Sequence, residues 1–321
     1  MVRARRLTGR RGRPTRTATD RRTAPPLPVL AVFLGPALLL YSVFVVYPLF
    51  SALQYSLFDW AGTLRRGFVG LDNFAALFTT FPLDEQLLSA FGHNTVFFLG
   101  TMLIQNTLGL TFAVLLHKRR ITRRVFQTLY TLPYLVSPLV VGYLWVLMLR
   151  PQFGVLNVLF DAVGLESLSQ PWLGDPGTAL PVVILINAWQ WVGFPMLLFG
   201  AALAGIPEEY EAAARVDGAS TWQAFRRVTF PLLTPAIGTV TVLTFIGSFN
   251  LFALAYAVGG SRGDPAGSID VLGLVFYRTA FEGGVNAIGL SSALAVLMFV
   301  LIFGVAVVAN RYLRRKEAEL T

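Results

Sequence analysis

Long apolar runs alternate with short polar ones along this chain. Six of the runs contain no Asp, Glu, Lys or Arg: Pro28–Phe50, Asn94–Leu116, Val125–Leu149, Ala179–Leu203, Leu232–Val258 and Ile288–Asn310. Each is long enough to cross a hydrocarbon layer of about 30 Å, which takes roughly 20 helical residues. All 17 acids and all 26 bases lie between or beyond them. The pattern predicts an all-α polytopic membrane protein. Six transmembrane helices over 28–310 are flanked by tails at 1–27 and 311–321.

Composition agrees. The chain is 55% hydrophobic and 13% charged, against about 25% charged in soluble domains, and its mean hydropathy is +0.63. It has no cysteine, which excludes disulfides and thiolate chemistry. His93 and His117 flank the second apolar run on opposite sides, so they cannot share a metal. No catalytic residue, cofactor or metal site is expected.

The net charge of +9 would suggest nucleic acid on a soluble surface. Here the bases sort by loop and read as topology. The N-terminal tail, the His117–Arg124 loop, the Gly205–Pro231 loop and the tail from Arg311 hold 21 of the 26 bases. Basic loops stay inside, and an even number of spans puts both termini in the cytoplasm. The first 27 residues are rich in Arg and Thr. The apolar run after them is too long for a signal core, and no A-x-A-like site follows it. They read as a retained, disordered basic tail rather than a signal or transit peptide.

One polar island interrupts the pattern, at 205–231 between spans four and five. Pro207 suits the first position of a helix. Glu208, Glu209 and Glu211 favour the positive end of that helix, and Gly218 suits its stop. Ser220-Thr221-Trp222-Gln223 is a capping box that starts a second helix, which ends before Pro231. The island therefore predicts two short helices joined by a turn at Asp217-Gly218-Ala219. Ala212, Ala213 and Ala214 leave room for close approach. Trp222, Phe225 and Val228 share one face of the second helix. On the residues alone, this is equally an amphipathic hairpin on the membrane surface and a docking surface.

The segment Glu211-Ala212-Ala213, Asp217-Gly218-Ala219, Phe225 and Phe230-Pro231 resembles the EAA loop of bacterial ABC-importer permeases. Ile206-Pro207 before it and Pro235 after it also fit. The chain is similar to the carbohydrate-uptake branch, of the sugar and glycerol-phosphate type, from Phe33 to Arg311. That likeness takes in Phe68-Val69-Gly70-Leu71-Asp72-Asn73-Phe74, Asn94-Thr95, Leu132-Pro133 with Ser137, Trp189 with Gly193-Phe194, and Ser248-Phe249-Asn250. Where the family often has a compact Gly-Gly-Pro after span five, Gly259-Gly260 is here separated from Pro265. The resemblance implies a bacterial or archaeal plasma-membrane permease and the type I importer permease fold. Its partners would be a second homologous permease, two copies of a cytoplasmic ATPase and an extracytoplasmic solute-binding protein. It assigns coupling to the ATPase to Glu211, Ala212, Ala213, Asp217, Gly218, Ala219 and Phe225.

The chain has no phosphate loop for ATP: neither Lys118 nor Lys316 follows a glycine. An external motor fits that absence. An ion-coupled secondary transporter of a neutral solute is the alternative, although no span holds an ionisable group. A membrane-embedded enzyme lacks positioned acids, bases or metals. A carbohydrate needs aromatic faces and uncharged hydrogen-bonding groups. Span four offers Asn187, Trp189 and Gln190, and span five offers Thr244, Ser248 and Asn250. These residues either line a path or satisfy one another between helices, with the tryptophans as interfacial anchors.

Overall fold

The computed structural model describes residues 27–117, 120–166 and 169–320. The basic tail expected over 1–27 lies outside them, apart from Leu27. The chain forms two compact units, the first ending at Pro48 and the second running from Leu49 to Thr321. In the first unit, α1 (Leu27–Tyr41) passes into a π turn, Ser42–Val46. Val32, Phe33, Leu38 and Phe44 are all exposed, and the helix is apolar all round, the pattern of a membrane span. Helix α2 (Tyr47–Ser56) follows.

The second unit departs from the all-helical expectation at once. β1 (Phe58–Ala61) and β2 (Leu64–Phe68) pair as an antiparallel hairpin, ahead of α3 (Asp72–Thr79). Asn73, inside the Phe68–Phe74 motif, is buried and ties the hairpin down. Its Nδ2 donates to the carbonyls of Ser56 (2.8 Å) and Phe58 (2.9 Å), and its Oδ1 accepts from Asn286 Nδ2 (2.8 Å). Then α4 (Leu83–Thr101), a π turn (Met102–Asn106) and α5 (Thr107–His117) form one long stretch, Leu83–His117.

The next three expected spans are broken rather than straight. α6 (Arg120–Thr131), a 3-10 turn (Pro133–Leu135) and α7 (Pro138–Met148) bend by 94°. Pro133 and Pro138 lack N–H donors, and Ser137 before Pro138 is driven out of the helical region. The bases expected in a loop at 117–124 therefore partly sit on the first turns of α6. α8 (Val155–Ala162) is short. α9 (Pro176–Trp191) and α10 (Gly193–Ala204) bend by 48°.

After α10 come α11 (Glu208–Val216), α12 (Thr221–Ala224), a π turn (Phe225–Thr229), α13 (Phe230–Leu232) and α14 (Thr234–Phe249). The helices on either side of Leu233 bend by 62°, where Pro235 enters the first turn of α14. The span expected to reach Val258 stops at Phe249. The chain restarts as α15 (Ala253–Gly259), followed by α16 (Leu272–Tyr277). α17 (Ala287–Leu320) runs beyond the expected end at Asn310, so the stretch expected as a C-terminal tail is largely helical. Among the described residues, Ala31–Ser56, Leu83–His117 and Ala287–Arg315 are each long and apolar enough to cross a membrane, and counting each bent pair as one span gives up to six.

Three buried clusters hold the second unit. Phe97, Val141, Val183, Leu254 and Leu274 belong to the first. Leu77, Ala90, Phe249 and Leu294 belong to the second, and Met196, Phe199, Leu233 and Val240 to the third. Helices in lipid associate by close packing more than by the hydrophobic effect. Gly142 shows this: a β-carbon there would collide with Ala257, so α7 seats directly on α15.

Candidate functional site

Two places in the second unit gather the residues singled out by sequence. The first is the hairpin of α11 and α12. Pro207 is the N-cap of α11 rather than its first helical residue. Glu208, Glu209 and Glu211 occupy the first turn, and Glu211 Oε1 accepts from Arg215 Nη2 at 2.6 Å. Gly218 has φ of +81°. Its N–H donates to the Arg215 carbonyl at 3.0 Å, and that of Ala219 to the Ala214 carbonyl at 2.9 Å. These two bonds form a Schellman stop, which needs a left-handed residue.

The second helix opens on a complete capping box between Ser220 and Gln223. Ala212, Ala213, Asp217 and Gly218 are exposed, and Glu211 and Ala219 half-buried. Val216 is 88% exposed and Trp222 66%. The three residues expected to share one face of the second helix divide. Trp222 is outside, whereas Phe225 and Val228 turn into a pocket of about 190 Å³ with Leu203, Ile206, Glu208 and Glu211. Phe225 is held between Trp222 and Phe230, with ring centroids 5.7 and 6.1 Å away. His117 lines this pocket. It lies 24 residues along a helical stretch from His93, or about 36 Å.

The second place is a cavity of about 200 Å³ among α4, the π turn, α9, α10 and α14. Asn187, Thr244, Ser248 and Asn250 line it, with Thr101, Gln105, Trp191, Phe194 and Phe252. None of its lining residues is ionisable. Two of the six residues expected here lie elsewhere. Trp189 is 45% exposed and meets Trp145 edge-on at 5.5 Å. Gln190 is fully buried, its Nε2 donating to the Val136 carbonyl at 2.8 Å. Trp191, one residue on, is the tryptophan that reaches the cavity. Thr101 and Gln105, which also line the cavity, are not among those six. The polar groups also hold the helices together. Asn187 Nδ2 donates to Gln105 Oε1 at 3.0 Å, and Asn106 Nδ2 to Thr244 Oγ1 at 2.9 Å.

A third cluster fixes the segment between α15 and α17. Arg278 donates to both Asp270 oxygens, at 2.9 and 2.6 Å, to Gln86 Oε1 at 3.2 Å and to the Ser261 carbonyl. Burial pushes the Asp270 carboxyl above the usual carboxylate range, against the pull of the Arg278 guanidinium. His93 Nδ1 donates to the Asp270 carbonyl at 2.7 Å. Asn94 Oδ1 accepts from the Leu272 N–H at 2.9 Å, while its Nδ2 donates to the Ser248 carbonyl at 2.7 Å. Asn94 thus joins this segment to the cavity-lining helix.

Residues 105–318 match the family described as "Binding-protein-dependent transport system inner membrane component". A probable ABC transporter permease protein of Pyrococcus horikoshii is 33% identical over 282 residues, covering 88% of this chain and 94% of that protein. A probable starch degradation products transport system permease protein of Thermoanaerobacterium thermosulfurigenes is 29% identical, covering 90% and 95%. The maltose/maltodextrin transport system permease protein MalF of Vibrio vulnificus is 32% identical over 82% of this chain, which spans 53% of that longer protein. The fold is that of a subunit in the crystal structure of a bacterial ABC transporter involved in the import of the acidic polysaccharide alginate. That likeness has a TM-score of 0.76 at 24% identity and covers 89% of this chain and 95% of the other.

Proposed function

This chain belongs to the family of binding-protein-dependent transport system inner membrane components, and from that membership we propose that it is the permease subunit of an ABC importer for a sugar, oligosaccharide or related polyol. It pairs with a second homologous permease. Two copies of a separate ATPase dock on the hairpins, and a solute-binding protein delivers substrate from outside. Both termini and the hairpin lie on the cytoplasmic side. The carbohydrate class rests on the names of the starch-product and maltodextrin relatives, together with a cavity whose lining includes aromatic, amide and hydroxyl groups and carries no charge.

The observation that carries the mechanism is continuity. The hairpin leaves α10 at Ile206-Pro207 and returns through the π turn and α13 directly into α14. α9 and α10 bring Asn187, Trp191 and Phe194 to the cavity, and α14 brings Thr244, Gly247 and Ser248. A push on the hairpin therefore reaches the cavity from both ends of the same connection. The Schellman stop and the capping box make the hairpin a stiff unit, so movement is passed on rather than absorbed. ATP-driven closure of the ATPases rocks these helices and alternates access to the cavity.

The test is uptake in proteoliposomes that hold this chain, its permease partner, the ATPase and the binding protein. Import is expected only with all four and ATP. Hydrolysis of ATP by the purified chain alone, or uptake by it on an ion gradient, overturns the proposal.

A further inference from the structure

Thr101 has a hydroxyl with nothing to bond. The residue is 2% exposed and lines the central cavity, and its Oγ1 is buried without a partner. Several other helical threonines in the described residues behave differently. Thr95, Thr111, Thr239, Thr241 and Thr279 each donate to the carbonyl four residues back, at 2.7–3.0 Å. Thr101 makes no such bond to Phe97. Leaving a buried hydroxyl unpaired is costly, and such a group in a native structure calls for a reason.

The helix supplies one. Directly after Thr101 the chain widens into the π turn Met102–Asn106, a feature frequent at functional sites. The extra residue in the turn keeps both Gln105 and Asn106 on the buried side. Gln105 reaches Asn187, and Asn106 reaches Thr244. Three polar side chains of one helical stretch thus turn inward, two of them engaged with neighbouring helices. Of the cavity-lining residues described, Thr101 is the one whose buried polar atom has no partner.

We infer that Thr101 is a substrate-binding residue: its Oγ1 exchanges hydrogen bonds with a hydroxyl of the uncharged carbohydrate as it passes, and the π turn holds it in place. A hydroxyl gives one donor and accepts at two lone pairs, which matches a sugar hydroxyl. This rests on the reading of the cavity as the translocation path.

The test uses the assembled transporter in proteoliposomes, with radiolabelled maltose as the probe. Thr101→Val keeps the shape and removes the hydroxyl, and Thr101→Ser keeps the hydroxyl. The Val variant is expected to raise KM roughly fivefold to tenfold, the loss of about one hydrogen bond, with an unchanged thermal unfolding midpoint. The Ser variant stays near the parent. An unchanged KM in Thr101→Val overturns the inference. Gly247→Phe tests the path itself, because Gly247 lines the cavity and has open space around it. If Gly247→Phe blocks uptake while Thr101→Val does nothing, only the role of Thr101 falls. If Gly247→Phe imports at the parent rate, the cavity is not the path. A second arm needs no known substrate. Thr101→Cys is the sole cysteine of this subunit, and a small methanethiosulfonate is expected to modify it during ATP turnover. A cysteine that stays unmodified also overturns the inference. A parent complex that does not import maltose rules out maltose as the substrate and leaves this arm to decide for Thr101.

Discussion

Gly218 is held at φ +81° with open space where a β-carbon would go, so any cost of replacing it is backbone strain rather than collision. For an ordinary L residue that strain is roughly 1–2 kcal/mol, and asparagine tolerates the left-handed region better. Uptake by the assembled transporter is expected to fall in the order Gly218→Asn, Gly218→Ala, Gly218→Val. Parent-rate import by Gly218→Val would remove the hairpin from the coupling path. Asp270 offers a second residue-scale test. Asp270→Asn leaves the largely buried Arg278 without its counter-charge, and breaking one side of such a pair costs about 3 kcal/mol. A denaturant titration in detergent should show that loss, and an unaltered midpoint would mean that Ser261 and Gln86 suffice to hold the guanidinium. Residue identity was legible at Gly218 because a helix stop is a local event. It was not legible at Trp189 and Gln190. Neighbouring residues on a helix point about 100° apart, and the phase of α9 is set by how it packs, so the tryptophan facing the cavity is Trp191.

At the scale of elements, the hairpin is the part read most fully from its letters. Pro207, the acidic first turn, Gly218 and the Ser220/Gln223 box all act within a few residues, and each is found in its place or one position away. Ser220→Ala removes the side-chain cap and is expected to cost about 1 kcal/mol. Amide exchange should speed up in α12 and leave α14 unchanged; equal speeding in both would show that the hairpin does not fold as its own unit. The breaks in the long spans were the opposite case. Pro133, Pro138 and Pro235 are plain in the sequence, but a proline in an apolar run does not say whether the helix kinks slightly or turns by 94°. That depends on what the freed segment packs against. Here α7 is received by α15 at Gly142 and Ala257. Gly142→Leu is expected to push the two apart and lower stability by about 1–3 kcal/mol, the usual penalty of overpacking, read as a drop in the thermal unfolding midpoint. The β1–β2 hairpin, absent from the all-helical expectation, owes its position to Asn73 and Asn286, 213 residues apart.

For the whole molecule, orientation is the statement most open to direct measurement. The chain has no cysteine, so single cysteines report sidedness without background. Thr63→Cys, in the exposed turn between β1 and β2, is expected to react with an impermeant reagent added outside intact cells. Ala213→Cys, on the exposed side of α11, is expected to react only after the membrane is opened. Labelling of both from one side would overturn the arrangement inferred from the arginines. What the sequence determined by itself was everything that depends on composition and on neighbours along the chain. That covers membrane residence, the number of apolar runs, the hairpin between the fourth and fifth, and the family likeness. Lipid exclusion of charge and helix capping both act over a turn or two, so they leave a mark in consecutive letters. What only the tertiary structure decided was which polar side chains meet. Thr101 and Gln105 join Asn187 and Thr244 around one cavity because a π turn shifts the phase of one helix and bends reset the phase of two others. Contacts between residues 82 and 138 positions apart have no signature in any local stretch of sequence.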